Sequence, residues 1–318
     1  MKAWTPKGYD AAKADLAHPI GYDLLGPVVH RWLLALHQHL LFHDDGSTVA
    51  LFCARAGVRI SELYDIFLAD RPAAGPAREM FWVSRMAVAK GVYDTPDGGA
   101  RSIDLLMGEY RHQPLRDLVS GLMRQCPEML SGIDLQDRTL DAHGHNLPGW
   151  LTVNGPVQRR VRDFLRASTA AFDDYLDALL DGRKTALLID SGWQGTTQSL
   201  LTAAHPDTQW RGLYFGRILT PAHDPRIVQD CIGLMFEAEH WSLKRPETAF
   251  VRHRHLIEAL LEPAADSIED VRGGPAAPAV EASIASCATA EPDPDDDELY
   301  LAVRRYITDN AGQSPARI

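Results

Sequence analysis

The chain is predicted to be an α/β protein: a mostly parallel sheet with helices on both faces, Rossmann-like, with helical insertions. Three observations predict it. Short apolar runs of strand length alternate along the chain with segments of helical periodicity. Such alternation is the pattern of a parallel sheet covered on both faces. One of the runs, "TALLID", ends in Asp190 ahead of a turn, "SGWQG", that opens a helix.

The elements follow in order. "GYDLLGPVVHRWLLALHQHLLF" has helical spacing, with Pro27 near its first turn, where a missing N–H costs little. "STVALFCA" reads as a buried strand, and "ISELYDIFLAD" as a helix with Ile60, Leu63, Tyr64 and Phe67 on one face. "EMFWVS" reads as a second strand. From Ser102 to Met129 the spacing is helical again, in two segments split near Pro114. The clearest helix runs from Pro156 to Leu180, where Val157, Val161, Phe164, Leu165, Phe172, Leu176 and Leu179 form one apolar stripe. "TALLID" is the third strand, a helix starts at Thr196, and "WRGLYFG" is the fourth strand. These pieces make residues 1–262 a single α/β domain with an N-terminal helical segment. Residues 263–298, rich in Ala, Pro and acid, are expected to be flexible, and 299–318 to form a short helix and tail.

Composition narrows the functions. The 318 residues carry a formal net charge of −11, which argues against a general nucleic-acid binder, since that needs a basic face. The N-terminal "MKAWTPKGYDAAKADLAHPIG" lacks the apolar core of a signal peptide. The apolar stretch "WLLALHQHLLF" is too short to span a membrane, so a cytoplasmic protein without a membrane span is expected. Cys53, Cys126, Cys231 and Cys287 lie far apart, without the pairing that zinc or a disulfide framework uses. His37, His39 and His43 do not share one helical face, His143 and His145 read as a polar loop, and Glu237 with His240 lacks the second motif a metal bundle needs.

In open parallel sheets ligands sit outside the carboxyl ends of the strands. Those ends carry Arg55 after the first strand, Ser84 and Arg85 after the second, "DSGWQGTTQ" after the third and Arg217 after the fourth. An arginine fork matches phosphate oxygens bidentately, and the N–H groups of a turn opening a helix add anion contacts. Gly192 and Gly195 would let the backbone approach closely, with Trp193 between them, while Thr196, Thr197 and Gln198 offer donors. The set fits a ligand with more than one anionic group. Asp190 would then face sugar hydroxyls or a magnesium ion, since its charge repels bare phosphate. Each part also has a purely structural alternative: a salt-bridged arginine, a tight strand–helix turn, a capping threonine or aspartate, a packed tryptophan.

"GYDLLGPVVHRWLLAL", "LFCARAG", "FWVSRMA" and "LLIDSGWQGTTQ" occur in an order that resembles the glycan phosphoribosyltransferase domain of bacterial dual-domain ribofuranosyltransferases. That domain belongs to surface-polysaccharide loci and is often grouped with the haloacid dehalogenase-like hydrolases. The resemblance runs from about Gly21 to Glu262. It implies transfer of 5-phosphoribose from phosphoribosyl pyrophosphate to a glycan acceptor, with a separate phosphatase as a partner. It places Asp190 on the ribose hydroxyls or on magnesium, Arg55 and Arg85 on the leaving pyrophosphate, and Glu258 as a candidate base. Members of that family read "SRDGY" where this chain reads "ARAGV", so Ala56 stands in place of an aspartate. Their "APHGS"-like stretch is "PAADS" here.

Two rivals remain. A haloacid dehalogenase-like phosphatase needs a strand followed by D-x-D-G, with one Asp as nucleophile; Ala54, Arg55 and Ala56 occupy those places. A catalytically degenerate binding module is favoured by Ala56 and opposed by Asp190, the glycine turn and the strand-end arginines.

Overall fold

The five strands form one all-parallel sheet in the order β2-β1-β3-β4-β5. They are β1 (Thr48–Cys53), β2 (Ala77–Phe81), β3 (Thr185–Asp190), β4 (Gln209–Arg217) and β5 (Cys231–Glu237). The computed structural model describes residues 19–69, 71, 75–219, 225–242, 244, 246–271 and 278–313; the N-terminal stretch read above for a leader lies almost wholly outside them. The α/β, Rossmann-like fold expected from the alternation is therefore present. The fifth strand, "CIGLMFE", was not foreseen, because it follows β4 with only the short helix Pro225–Asp230 between them.

Alternate residues of each strand feed two separate cores, as a period of two requires. Val49, Leu51, Ala186 and Leu188 enter one core, with Phe164 and Phe172 of the long helix. Ala50, Phe52, Leu187 and Ile189 enter the other, with Trp32 and Leu36. The second core is closed by α1 (Gly26–Phe42) and α2 (Ala56–Leu68). The first is closed by α3 (Arg85–Gly91), α4 (Gly98–Glu109), α5 (Leu115–Leu122), α6 (Pro156–Leu180) and α7 (Thr196–Ala204). The break near Pro114 falls between α4 and α5 as predicted. In α6 every stripe residue except Leu179 is buried, and Gln158, Ser168 and Thr169 join them.

At the outer edge, β2 exposes Ala77, Arg78 and Glu79, and Arg78 pairs with Asp65 at 2.6 Å. Charged side chains on an edge strand discourage pairing with another chain.

The C-terminal third corrects an expectation. Residues 263–271 and 278–298 are not a loose tether. They include α9 (Pro278–Ala288), which follows α8 (Phe250–Leu261) and precedes α10 (Glu298–Asp309). Ile268, Val280 and Cys287 are buried, and Lys90 of α3 pairs with Asp270 at 3.2 Å, both side chains 2% exposed. Asp297, near the end of the segment expected to be flexible, pairs with the buried Arg59 at 2.6 Å. The composition is poor in large apolar side chains, but a few buried anchors and ion pairs hold the segment. The final helix docks through Tyr300, Val303 and Ile307, as a short helix was expected to; residues 314–318 of the tail lie outside the described residues.

Candidate functional site

Strand order reverses at β1 and β3, where the connections leave in opposite directions, and a crevice opens there at the carboxyl ends of the strands. The crevice is a cleft of about 890 Å³. All four predicted strand ends reach it, the fourth through Ile218 and not through Arg217.

After Cys53 the chain passes through Ala54 and Arg55 into α2, and the Ala54 N–H donates to the Phe81 carbonyl at 3.0 Å, which ties the β1 end to β2. The Ala54–Arg55 and Gly192–Trp193 peptide bonds are both cis. The Arg55 guanidinium donates to the Glu262 carboxylate at 2.6 Å. At the end of β2, Ser84 caps α3: its Oγ accepts from the Ala87 N–H at 3.3 Å. Its own N–H donates to the Ile268 carbonyl at 2.8 Å, so the C-terminal segment forms part of the wall. Arg85 reaches solvent and pairs with Glu109 at 3.5 Å.

The turn after β3 is shaped by two glycines. Gly192 has φ +133°, and a Cβ there would lie 2.4 Å from the Gly216 carbonyl oxygen, so no larger residue fits. Gly195 has φ +64° and stands at the N-cap of α7, which no side chain caps. Thr196 is therefore not the cap that a structural account offered, and Thr196 and Thr197 both line the cleft. The turn is stitched to β4 by the Ile218 N–H, which donates to the Trp193 carbonyl at 2.7 Å.

Asp190 lies on the floor. Its carboxylate accepts from the Ser191 N–H at 2.7 Å. Burial pushes its pKa up to about 7; the nearby charges of Glu262 and Glu258 add to this, against the Ser191 hydrogen bonds. Burial likewise raises Glu262, opposed by Arg55 and reinforced by Glu258. The Glu258 carboxylate accepts from the Trp193 indole N–H at 2.7 Å. Trp193 is 8% exposed and stacks on Phe236, so packing is its main role, with one edge left on the cleft.

Two predicted residues are not in the site. Arg217 lies at the end of β4, beside the unforeseen β5. Its guanidinium is buried against Glu237 at 3.0 Å, Glu239 at 2.9 Å and the Cys231 carbonyl at 2.6 Å. Its side chain is held against β5 and away from the cleft, which the next residue, Ile218, does line. Gln198 is fully buried: its amide donates to the Trp210 and Asp230 carbonyls and accepts from the Tyr214 hydroxyl at 3.2 Å.

The cleft also contains residues the strand-end search did not reach. Glu262 stands one helical turn beyond Glu258, an i, i+4 spacing that a search for paired acids would have found. Tyr110 and Gln113 come from the helical insertion, Arg254 from α8, and Arg124 with its ion-pair partner Glu269 from segments distant in sequence. Nothing local marks these.

A magnesium ion commonly takes one or two carboxylates together with substrate phosphates. Among the described residues no three His, Cys, Asp or Glu side chains gather as an all-protein metal site would need. Asp190 would serve as a protein ligand of an ion carried in on phosphate oxygens. Compared with models of known families and with curated proteins, the chain finds no match. Among the described residues, no helix is long and apolar enough to cross a membrane.

Proposed function

We propose that the cleft binds a phosphorylated, pyrophosphate-bearing sugar donor of the phosphoribosyl pyrophosphate type and transfers its sugar phosphate to a glycan acceptor. The observation that carries this is the convergence of Arg55, Arg85 and the Gly192–Thr197 turn around Asp190 at the sheet's switch point. Two arginine forks and a helix-opening turn suit a ligand with two separate anionic groups. The chain's resemblance to the glycan phosphoribosyltransferases supports the choice of donor.

In this reading an acceptor hydroxyl attacks the anomeric carbon. The bond from that carbon to the pyrophosphate oxygen breaks, and the pyrophosphate leaves with the electron pair. Arg55, Arg85 and the turn stabilise the charge that develops on it. The acceptor proton passes to a carboxylate. Where no magnesium is bound, Asp190, its pKa pushed up to about 7 by burial, has the affinity for a proton that such a base needs. Glu258 is the second candidate, with one oxygen already engaged by Trp193. Magnesium, where the donor brings it, would be held by Asp190 and would neutralise charge on the pyrophosphate. The reaction belongs in the cytoplasm, with a separate phosphatase to remove the 5-phosphate from the product.

The test is incubation with phosphoribosyl pyrophosphate, magnesium and candidate glycan acceptors. Pyrophosphate release that depends on the acceptor supports transfer; donor binding without turnover supports the second reading, a binding module. One observation favours the module: Ala56, 3% exposed at the cleft end of β1, brings no acid to that wall. The phosphatase reading has the weakest support, because Ala54, Arg55 and Ala56 supply no nucleophilic carboxylate after β1.

A further inference from the structure

The cleft arginines already hold carboxylates of the same chain. Arg55 pairs with Glu262, Arg85 with Glu109, and Arg124 with Glu269. The first pair differs from the other two in its position. Arg85 and Arg124 are well exposed at the rim, whereas Arg55 and Glu262 are 39% and 32% exposed, beside the floor residue Asp190. Their contact, at 2.6 Å, joins the β1–α2 junction to the residue just past α8.

A carboxylate at hydrogen-bond distance on a guanidinium fills the face that a phosphate oxygen would take. Glu262 meets charges from every side. Arg55 and Arg85 attract it from the β1 and β2 ends; Asp190 on β3 and Glu258 on its own helix repel it. Across from it, Cys287 of α9 also lies within the field of Arg55. Two acids press on Glu262 while one close arginine holds it.

We propose that Glu262 is an internal occupant of the anion seat on Arg55, and that it sets the charge a ligand must bring in order to enter. A polyanion, bonding to Arg55 and at the same time to the turn and Arg85, displaces the carboxylate. A ligand with a single carboxylate gains nothing by the exchange, because it replaces one carboxylate with another. The inference rests on the anion-site reading above and adds to it a residue that selects pyrophosphate-bearing ligands over weaker anions.

The experiment is isothermal titration of the full chain with inorganic pyrophosphate. Glu262→Gln keeps the shape of the side chain and removes its charge, so it is expected to bind about tenfold more tightly than the unaltered protein, the range of one charge-assisted hydrogen bond. Glu269→Gln removes a charge of the same cleft whose partner is Arg124 at the rim and not Arg55; it is expected to change affinity by less than about threefold, since the seat on Arg55 stays occupied. Glu262→Asp keeps the charge but draws it back from Arg55 by one methylene, and its affinity should fall between those of the first variant and the unaltered protein. Equal tightening in Glu269→Gln and Glu262→Gln, or none in Glu262→Gln, overturns the proposal and leaves the anion site standing. Failure of all four proteins to bind pyrophosphate overturns both. Thermal melts confirm that each variant is folded, and Glu262→Asp supplies the answer should Glu262→Gln fail to fold.

Discussion

Removing one partner of the Lys90–Asp270 pair should unfold the wall of the cleft before it touches the sheet. Both side chains are 2% exposed and 3.2 Å apart. The Lys90 ammonium also donates to the Leu122 carbonyl at 2.9 Å and lies 5.7 Å from the centre of the Phe164 ring. Asp270→Ala therefore takes a close counter-charge from a buried ammonium, which costs about 3–5 kcal/mol. For a protein of ordinary stability, roughly 5–15 kcal/mol, that is a large share. The charged pair itself contributes much less than this, because both ions were desolvated to form it. Lys90→Met with Asp270→Leu, which removes both charges, should thus be nearer to the unaltered protein than either single variant is. Urea unfolding measures all four proteins, with the slope checked for constancy. Limited proteolysis shows where the loss is felt: cleavage should appear first around residues 263–271. A cost for Asp270→Ala below about 1 kcal/mol, the value of an exposed pair, would refute the reasoning.

Other outcomes follow from the site. Arg55→Ala and Arg85→Ala should each abolish donor binding in calorimetry while leaving the thermal midpoint nearly unchanged, since both side chains reach solvent; unchanged affinity removes them from the site. Asp190 has a folded pKa, about 7, above its unfolded value, so between pH 4 and 7 the folded state holds more protons. Stability should fall as pH rises through that window, by at most about 4 kcal/mol, and then level off. Asp190→Asn should flatten the dependence and raise stability at pH 8 while stopping transfer; denaturation at several pH values decides it. Gly192→Ala puts a Cβ against the Gly216 carbonyl at an unfavourable φ, with an expected cost of about 1–3 kcal/mol and a loss of donor binding, read by a melt and a titration.

The sheet was legible because its residues obey local rules. "TALLID" and "STVALFC" are apolar throughout, and the long helix shows its stripe. β5 escaped notice because "CIGLMFE" is only partly buried and carries a glycine, so its pattern is weak until β4 is seen beside it. Of the site, the residues directly after a strand were readable, since topology brings strand ends together. Arg217 satisfied the same rule and still went elsewhere, because the rule names the end of the strand and not the side to which a side chain turns there. Glu262, Arg124 and Glu269 owe their places to tertiary packing of the C-terminal segment. The low hydrophobicity of that segment concealed how few buried anchors, Ile268 and Asp270 among them, are enough to hold it.

The order of the strands has a consequence for how the molecule is made. β3 lies between β1 and β4, yet it is synthesised after the whole helical insertion, and the last wall of the cleft comes later still, with Ile268 and Glu269. A chain emerging from the ribosome completes the site only once its C-terminal segment is in place. Ligand affinity is thus a report on completed folding, and a ligand held by all these segments at once stabilises the whole chain by an amount that grows with the logarithm of its concentration over its dissociation constant. The protein would then be most durable where the ligand of this cleft is abundant.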